Sequence, residues 1–167
     1  GVRSVQDGRA LLRAGADKVA VNTAALKQPA LITAIAQAFG RQCMVLSVQA
    51  KRRPGGGWEA YFDNGREHSG RDAVAWAAEG AQRGAGEILL TSVDAEGCRR
   101  GMDTELVAAV CAAVAAGGLA GAEDAAAAAN AGAAAVAAAS ALHYGTQTVQ
   151  SLKQGLAALG VEVRPCE

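Results

Sequence analysis

Apolar positions along the chain come in blocks whose spacing changes from helical to strand-like and back. Val5, Leu11 and Leu12 share a helical face; Ser4 opens the helix with Asp7 three residues on, a variant capping box, and Gly15 ends it. The chain therefore opens with a helix and no strand. In DKVAVN, Val19 and Val21 make a short β-branched run that stops at the polar pair Asn22 and Thr23, the pattern of a buried strand with a functional end. Pro29 suits a first helical turn, Leu31, Ile35 and Phe39 recur at four-residue spacing, and Gly40 fits a C-terminal cap.

Cys43 to Val48 is apolar except for Ser47, as in a strand covered on both faces, and it ends at Gln49. From Lys51 to Ser69 the chain is polar, yet it carries Trp58, Tyr61 and Phe62 and the turn pair Asn64-Gly65, which predicts a β-hairpin excursion. A helix follows over Ala73 to Arg83, closed by Gly84, and EILLTSVD gives a third strand ending in Ser92, Val93 and Asp94. After a loop from Gly97 to Gly101, Asp103 caps a helix containing Leu106, Val107 and Val110. Too few residues then precede Gly117-Gly118 for a helix end, a loop and a strand of about five residues, so one strand is expected to be truncated or lost. Ala122 to Ala131 is helical by propensity, Ala133 to Ala139 is the next strand by rhythm, and a helix from about Thr146 to Leu159 precedes the surface tail VEVRPCE. The alternation predicts an α/β fold with a parallel sheet and flanking helices.

Composition narrows the choice of partners. Sixteen basic residues balance sixteen acidic ones, so no global field draws the chain to nucleic acid or an anionic membrane, and any anion must be held locally. The most apolar run, Leu106 to Ala122, is mostly alanine and glycine and short of the about 20 residues of a membrane span; the first residues lack the apolar centre of a signal peptide. The expectation is a soluble, cytoplasmic protein with neither nucleic-acid nor membrane partners. Much of the 51% hydrophobic content is alanine, which implies a core of modest volume. Cys43, Cys98, Cys111 and Cys166 have no metal-ligand spacing and read as structural thiols; neither metal nor cofactor is implied.

In a parallel β/α fold the strand C-termini share a face onto which helix N-termini point, so the polar residues there are the candidates for chemistry. They are Asn22-Thr23, Asp94 to Gly97, and Gly117-Gly118 with Ser140. Glycine pairs admit a phosphate to the backbone and Asn, Thr or Ser add hydrogen bonds. The plain alternative is that Gly117-Gly118 is a turn and Asn22-Thr23 a cap. Lys51, Arg52 and Arg53 read as a solvated loop face, His68 and His143 as ordinary structural or surface histidines, and Trp58 as packing for the hairpin.

Four segments, GADKVAVNTAAL, PALITAIAQAFG, RGAGEILLTSVDAEG and GVEVRP, give the chain a close resemblance to the cyclase subunit of imidazole glycerol phosphate synthase, in that family's order and at roughly its spacing. The resemblance implies a (β/α)8 barrel made of two similar halves, each holding one phosphate of a substrate phosphorylated at both ends. Carried onto this chain, it assigns Gly1, Asn22 and Thr23 to one phosphate and Gly97, Gly118, Ala139 and Ser140 to the other. Lys18 and Glu87 fall at the opposite mouth, where the family gates ammonia from a glutaminase partner. The implied reaction joins ammonia to a phosphoribulosyl formimino aminoimidazole carboxamide ribotide, giving imidazole glycerol phosphate and an aminoimidazole carboxamide ribotide.

The match departs from the family at its acids. Complete barrels take about 200 to 250 residues, so at 167 the chain reads as a single partial barrel domain, beginning past the strand that carries one family aspartate. The other family aspartate aligns with Gln49, which hydrogen-bonds but cannot ionise. Glu96 replaces an aspartate with a longer arm, and Asp94 beside it is either a supporting carboxylate or a loop cap. The expectation is a cyclase relative with little or no activity. A noncatalytic phosphate-binding or glutaminase-binding module stays open, as does, more distantly, a sugar-isomerase barrel of the histidine pathway.

Overall fold

The computed structural model describes residues 1–110 and 113–164; Cys111, Cys166 and the last residues of the tail lie outside that range. The chain divides into two compact units, Gly1–Leu90 and the residues from Thr91 onward.

In the first unit, helix α1 (Val5–Arg13) begins at Ser4, whose hydroxyl accepts the Asp7 N–H at 3.2 Å. The Asp7 carboxylate in turn accepts the Arg3 N–H at 2.9 Å, which holds its carboxyl below the usual carboxylate range. Strand β1 (Val19–Val21) buries both valines and pairs in parallel with β2 (Met44–Arg52), Val19 opposite Met44 and Val21 opposite Leu46. Helices α2 (Thr23–Lys27) and α3 (Ala30–Phe39) make the crossover; α3 buries Leu31, Ile32 and Ile35 and stops at Gly40. The sequence pattern missed α2, which is only one turn long.

Strand β2 does not end at Gln49. It runs to Arg52 because its second half pairs antiparallel with β3 (Trp58–Phe62), Gln49 opposite Tyr61 and Lys51 opposite Glu59. Strand β3 pairs in turn with β4 (Glu67–Asp72) across a turn in which Asp63, Asn64 and Gly65 all have positive φ. The expected excursion is thus two hairpins. A register shift between Glu59 and Tyr61 marks a bulge in β4 around Gly70, whose φ is 73°. Helix α4 (Ala73–Arg83) is capped by Asp72, which accepts the Ala75 N–H at 2.9 Å, and buries Trp76; β5 (Glu87–Ser92) follows and neighbours β2.

In the second unit, Asp103 caps α5 (Thr104–Val110), accepting the Leu106 N–H at 3.0 Å. The strand expected to be truncated or lost is present and short: β6 (Val114–Ala116) pairs in parallel with β7 (Ala135–Ala137), Ala115 opposite Val136. A strand fits there because three residues suffice before Gly117, at φ 91°, turns the chain away. Strand β7 is shorter than the Ala133 to Ala139 run, since alanines hold a strand only where a neighbour pairs with them and a core covers them. That core is Leu119, Ala125, Ala141 and Leu152, with Val136, Leu142 and Leu156 packed against it. Helix α6 (Ala122–Asn130), the single turn α7 (Ser140–His143) and α8 (Val149–Ala158, capped by Thr148) complete the unit. The alternation of strand and helix, with parallel pairing in each unit, is that of a partial (β/α)8 barrel. Among the described residues no helix is long and apolar enough to cross a membrane.

Candidate functional site

At the end of β1 the chain turns through Asn22 and Thr23 onto a cleft of about 620 Å³ lined by Gly1, Arg3, Val21, Asn22, Thr23 and Lys27, among others. Asn22 is committed structurally. Its Nδ2 donates to the carbonyls of Ser47 at 3.1 Å and Tyr61 at 3.2 Å, tying the end of β1 to β2 and β3. The Thr23 hydroxyl donates to Asn22 Oδ1 at 3.3 Å and accepts the Asp63 N–H at 3.4 Å. Both amide protons of Asn22 are thus spoken for, and the cleft lining carries two cationic residues, Arg3 and Lys27, and one carboxylate, Asp63.

Gln49 is half-buried on β2, and its Oε1 accepts the Gly65 N–H at 3.0 Å. Register places its side chain on the same face as Tyr61 and Lys51. On that face the Lys51 ammonium sits 4.6 Å from the Tyr61 ring centroid, the Tyr61 hydroxyl lies 2.9 Å from His68 Nδ1, and His68 Nδ1 lies 3.3 Å from Glu59 Oε2. His68 therefore has a carboxylate neighbour that sequence spacing did not suggest, because the hairpin folds Glu59 beside it.

The second unit gathers another group. Gly97 (φ 72°) lies in a loop fastened by the Glu96 N–H on the Ser92 carbonyl at 3.0 Å and the Cys98 N–H on the Ala95 carbonyl at 3.1 Å. Gly118 packs backbone to backbone against Gly101, whose N–H donates to the Gly118 carbonyl at 3.2 Å. A Cβ on Gly117 would stand 2.7 Å from the Ser92 carbonyl, and one on Gly118 would meet the Gly101 carbonyl. Ala139 and Ser140 start α7, and the Arg99 guanidinium 5.0 Å over the Tyr144 ring joins the loop to the end of that helix. Asp94 and Glu96 are both exposed on this loop; Cys98, also exposed, donates its thiol to the Asp94 carbonyl at 3.5 Å. Lys18, just before β1, and Glu87, the first residue of β5, form an ion pair at the N-terminal ends of their strands.

A family model described as "Histidine biosynthesis protein" matches residues 1–148. The imidazole glycerol phosphate synthase subunit HisF of Beutenbergia cavernae is 53% identical over 174 positions, covering 98% of this chain and 68% of that protein. The same-named subunit of Solibacter usitatus is 46% identical, covering 98% of this chain and 67% of that protein. The chain belongs to the family of imidazole glycerol phosphate synthase cyclase subunits. A further member of the synthase cyclase family, from Legionella pneumophila, is 60% identical over 114 residues, so that 54% of its length is matched. The chain thus spans between about half and two thirds of the length of these synthase relatives.

Within this member of the synthase family, Gly1, Asn22 and Thr23 line one cleft of the first unit, while Gly97, Gly118 and Ser140 all lie in the second unit, where the Gly117-Gly118 turn approaches the Ser92 to Glu96 stretch. Sequence reading overlooked Glu59, Tyr61 and His68 as a set. The signal was there in principle, because a turn at Asp63 to Gly65 folds His68 back opposite Tyr61 and a two-residue step along β3 leads from Tyr61 to Glu59.

Proposed function

We propose that this chain is a (β/α)8-type barrel domain that binds the bisphosphorylated ribotide of the synthase reaction and supports the ammonia-dependent step giving imidazole glycerol phosphate and an aminoimidazole carboxamide ribotide. Gly1, Asn22 and Thr23 take one phosphate; Gly97, Gly118, Ala139 and Ser140 take the other. The observation that carries this reading is the Asn22-Thr23 turn, which opens at the C-terminal end of β1 onto a cleft with Arg3 and Lys27 in its wall. The Lys18–Glu87 pair, at the other ends of the strands, is the proposed entry for ammonia from a glutaminase partner.

Gln49 sets the expected rate. A glutamine donates and accepts hydrogen bonds but takes up no proton, and a positioned acid or base contributes a factor of about 10² to 10⁴. The expected behaviour is ribotide binding with slow turnover. Calorimetry with the ribotide and a turnover assay at saturating ammonium test the two parts, and Gln49→Asp should raise turnover by about 10² or more. Turnover by the native chain at the rate of an intact relative would contradict the role given to Gln49. The same residue favours a second reading, a noncatalytic binding module, for which the ribotide binds and no product forms with either residue at position 49.

A further inference from the structure

The face of the hairpins that carries Gln49 also carries a chain of ionisable groups with no assigned role. Glu59, Tyr61 and His68 lie on adjacent strands, and their side chains meet because Tyr61 stands opposite His68 in register while the bulge at Gly70 brings its N–H onto Glu59 Oε1 at 2.8 Å. His68 Nδ1 is 3.3 Å from Glu59 Oε2, and the Tyr61 hydroxyl lies within reach of both ring nitrogens, 2.9 Å from Nδ1 and 3.1 Å from Nε2. The tautomer that satisfies both partners donates Nδ1–H to Glu59 and leaves Nε2 to accept the Tyr61 proton. The Gly70 N–H, with His68 beside it, holds the Glu59 carboxyl below the usual carboxylate range, so this orienting group is an anion.

Burial divides the chain of groups in a useful way. Tyr61 is only 7% exposed, whereas the His68 side chain is 71% exposed, so the relay has a sheltered end and an end open to bulk water. Tyr61 also stands directly opposite Gln49, the position at which an ionisable side chain is missing. The Lys51 ammonium lies 4.6 Å from the centroid of the Tyr61 ring, so a cation stands beside the sheltered end. A purely structural tyrosine would be served by one hydrogen bond; this one is given a base, and the base is given a carboxylate, which is the arrangement that activates a hydroxyl.

We infer that Tyr61, His68 and Glu59 form a proton relay that supplies acid–base chemistry where Gln49 cannot. A proton leaving the ammonia-derived nitrogen of the substrate passes to the Tyr61 oxygen as the phenolic proton passes to His68 Nε2. The resulting imidazolium is stabilised by Glu59. Its one extra proton then has two exits: back to the substrate by reversal of both transfers, or from the exposed His68 to water, in which case Tyr61 keeps the substrate's proton and the relay is neutral again. The inference rests on the reading that the chain binds and slowly converts the ribotide.

The test is steady-state turnover with ammonium and ribotide across pH, with calorimetry of ribotide binding on each variant and a melting curve to confirm folding. His68→Gln and Tyr61→Phe should each lower kcat by about tenfold or more while leaving KM and Kd within about twofold, and should remove the imidazole ionisation from the kcat profile. Glu59→Gln should lower kcat in the same way, since the imidazolium loses its anionic neighbour; Glu59 and Tyr61 touch the imidazole, the Lys51 ammonium lies over the Tyr61 ring, and Arg53 acts on Glu59. Unchanged kcat and pH profile in His68→Gln would overturn the relay, as would a native chain that binds ribotide and forms no product; in both cases binding survives. Absence of binding by the native chain would overturn the underlying reading instead.

Discussion

At the scale of single residues, the Gly117-Gly118 pair is where the backbone leaves least room for change. The pair is plain in the sequence, but the reason for it is not. Both residues have positive φ, 91° and 86°, and both face a backbone carbonyl that no side chain could displace. Gly118→Ala combines a left-handed backbone cost of about 1 to 2 kcal/mol with a clash against Gly101, so the unfolding free energy should fall by at least about 2 kcal/mol, read as a lower denaturation midpoint in urea. An unchanged midpoint would mean that the two turns do not meet as described. Asn22 makes the complementary point. Its position at a strand end is legible from the hydrophobic pattern, but only the fold reveals that its amide protons are spent on the Ser47 and Tyr61 carbonyls.

At the scale of elements, the caps carry measurable weight. Asp72 opens α4 by accepting the Ala75 N–H, so Asp72→Ala should cost about 1 kcal/mol and lower the melting temperature without changing ribotide affinity. The elements legible in advance were those with large side chains at a regular period, such as α3 with Leu31, Ile32 and Ile35, or those bounded by strong caps, such as α1 and α4. The short ones were not. Strands β6 and β7 consist of alanine and valine, whose identity says little about local conformation, and they exist because each pairs with the other. The extension of β2 past Gln49 was hidden for a related reason: Lys51 and Arg52 look like loop residues until β3 is laid beside them, where they stack over Tyr61 and Trp58.

At the scale of the whole molecule, the acid response should report on the first unit. Glu79 has its carboxyl held below the usual range, chiefly by the hydrogen bond from Arg83 and also by Arg71, and Glu59 is held down by the Gly70 N–H. A carboxyl whose folded-state pKa is lowered contributes stability that is fully present above its unfolded value and is lost as pH falls through the folded value. The unfolded value is 4.5 for both, so melting temperature should hold level above that pH and drop below it, and Glu79→Gln should flatten the drop. A melting temperature that rises on acidification from pH 5 to pH 3 would contradict the sign.

The two phosphate groups together are the account's central claim, since the proposed substrate is anionic at both ends and the candidate residues fall in two separate units. Calorimetric titration of the bisphosphorylated ribotide into the native chain, Thr23→Glu and Ser140→Glu tests it most directly. Saturable one-to-one binding, weakened by about tenfold or more when either carboxylate is introduced, is the predicted result. No binding at millimolar ribotide, or an affinity indifferent to both substitutions, would contradict it.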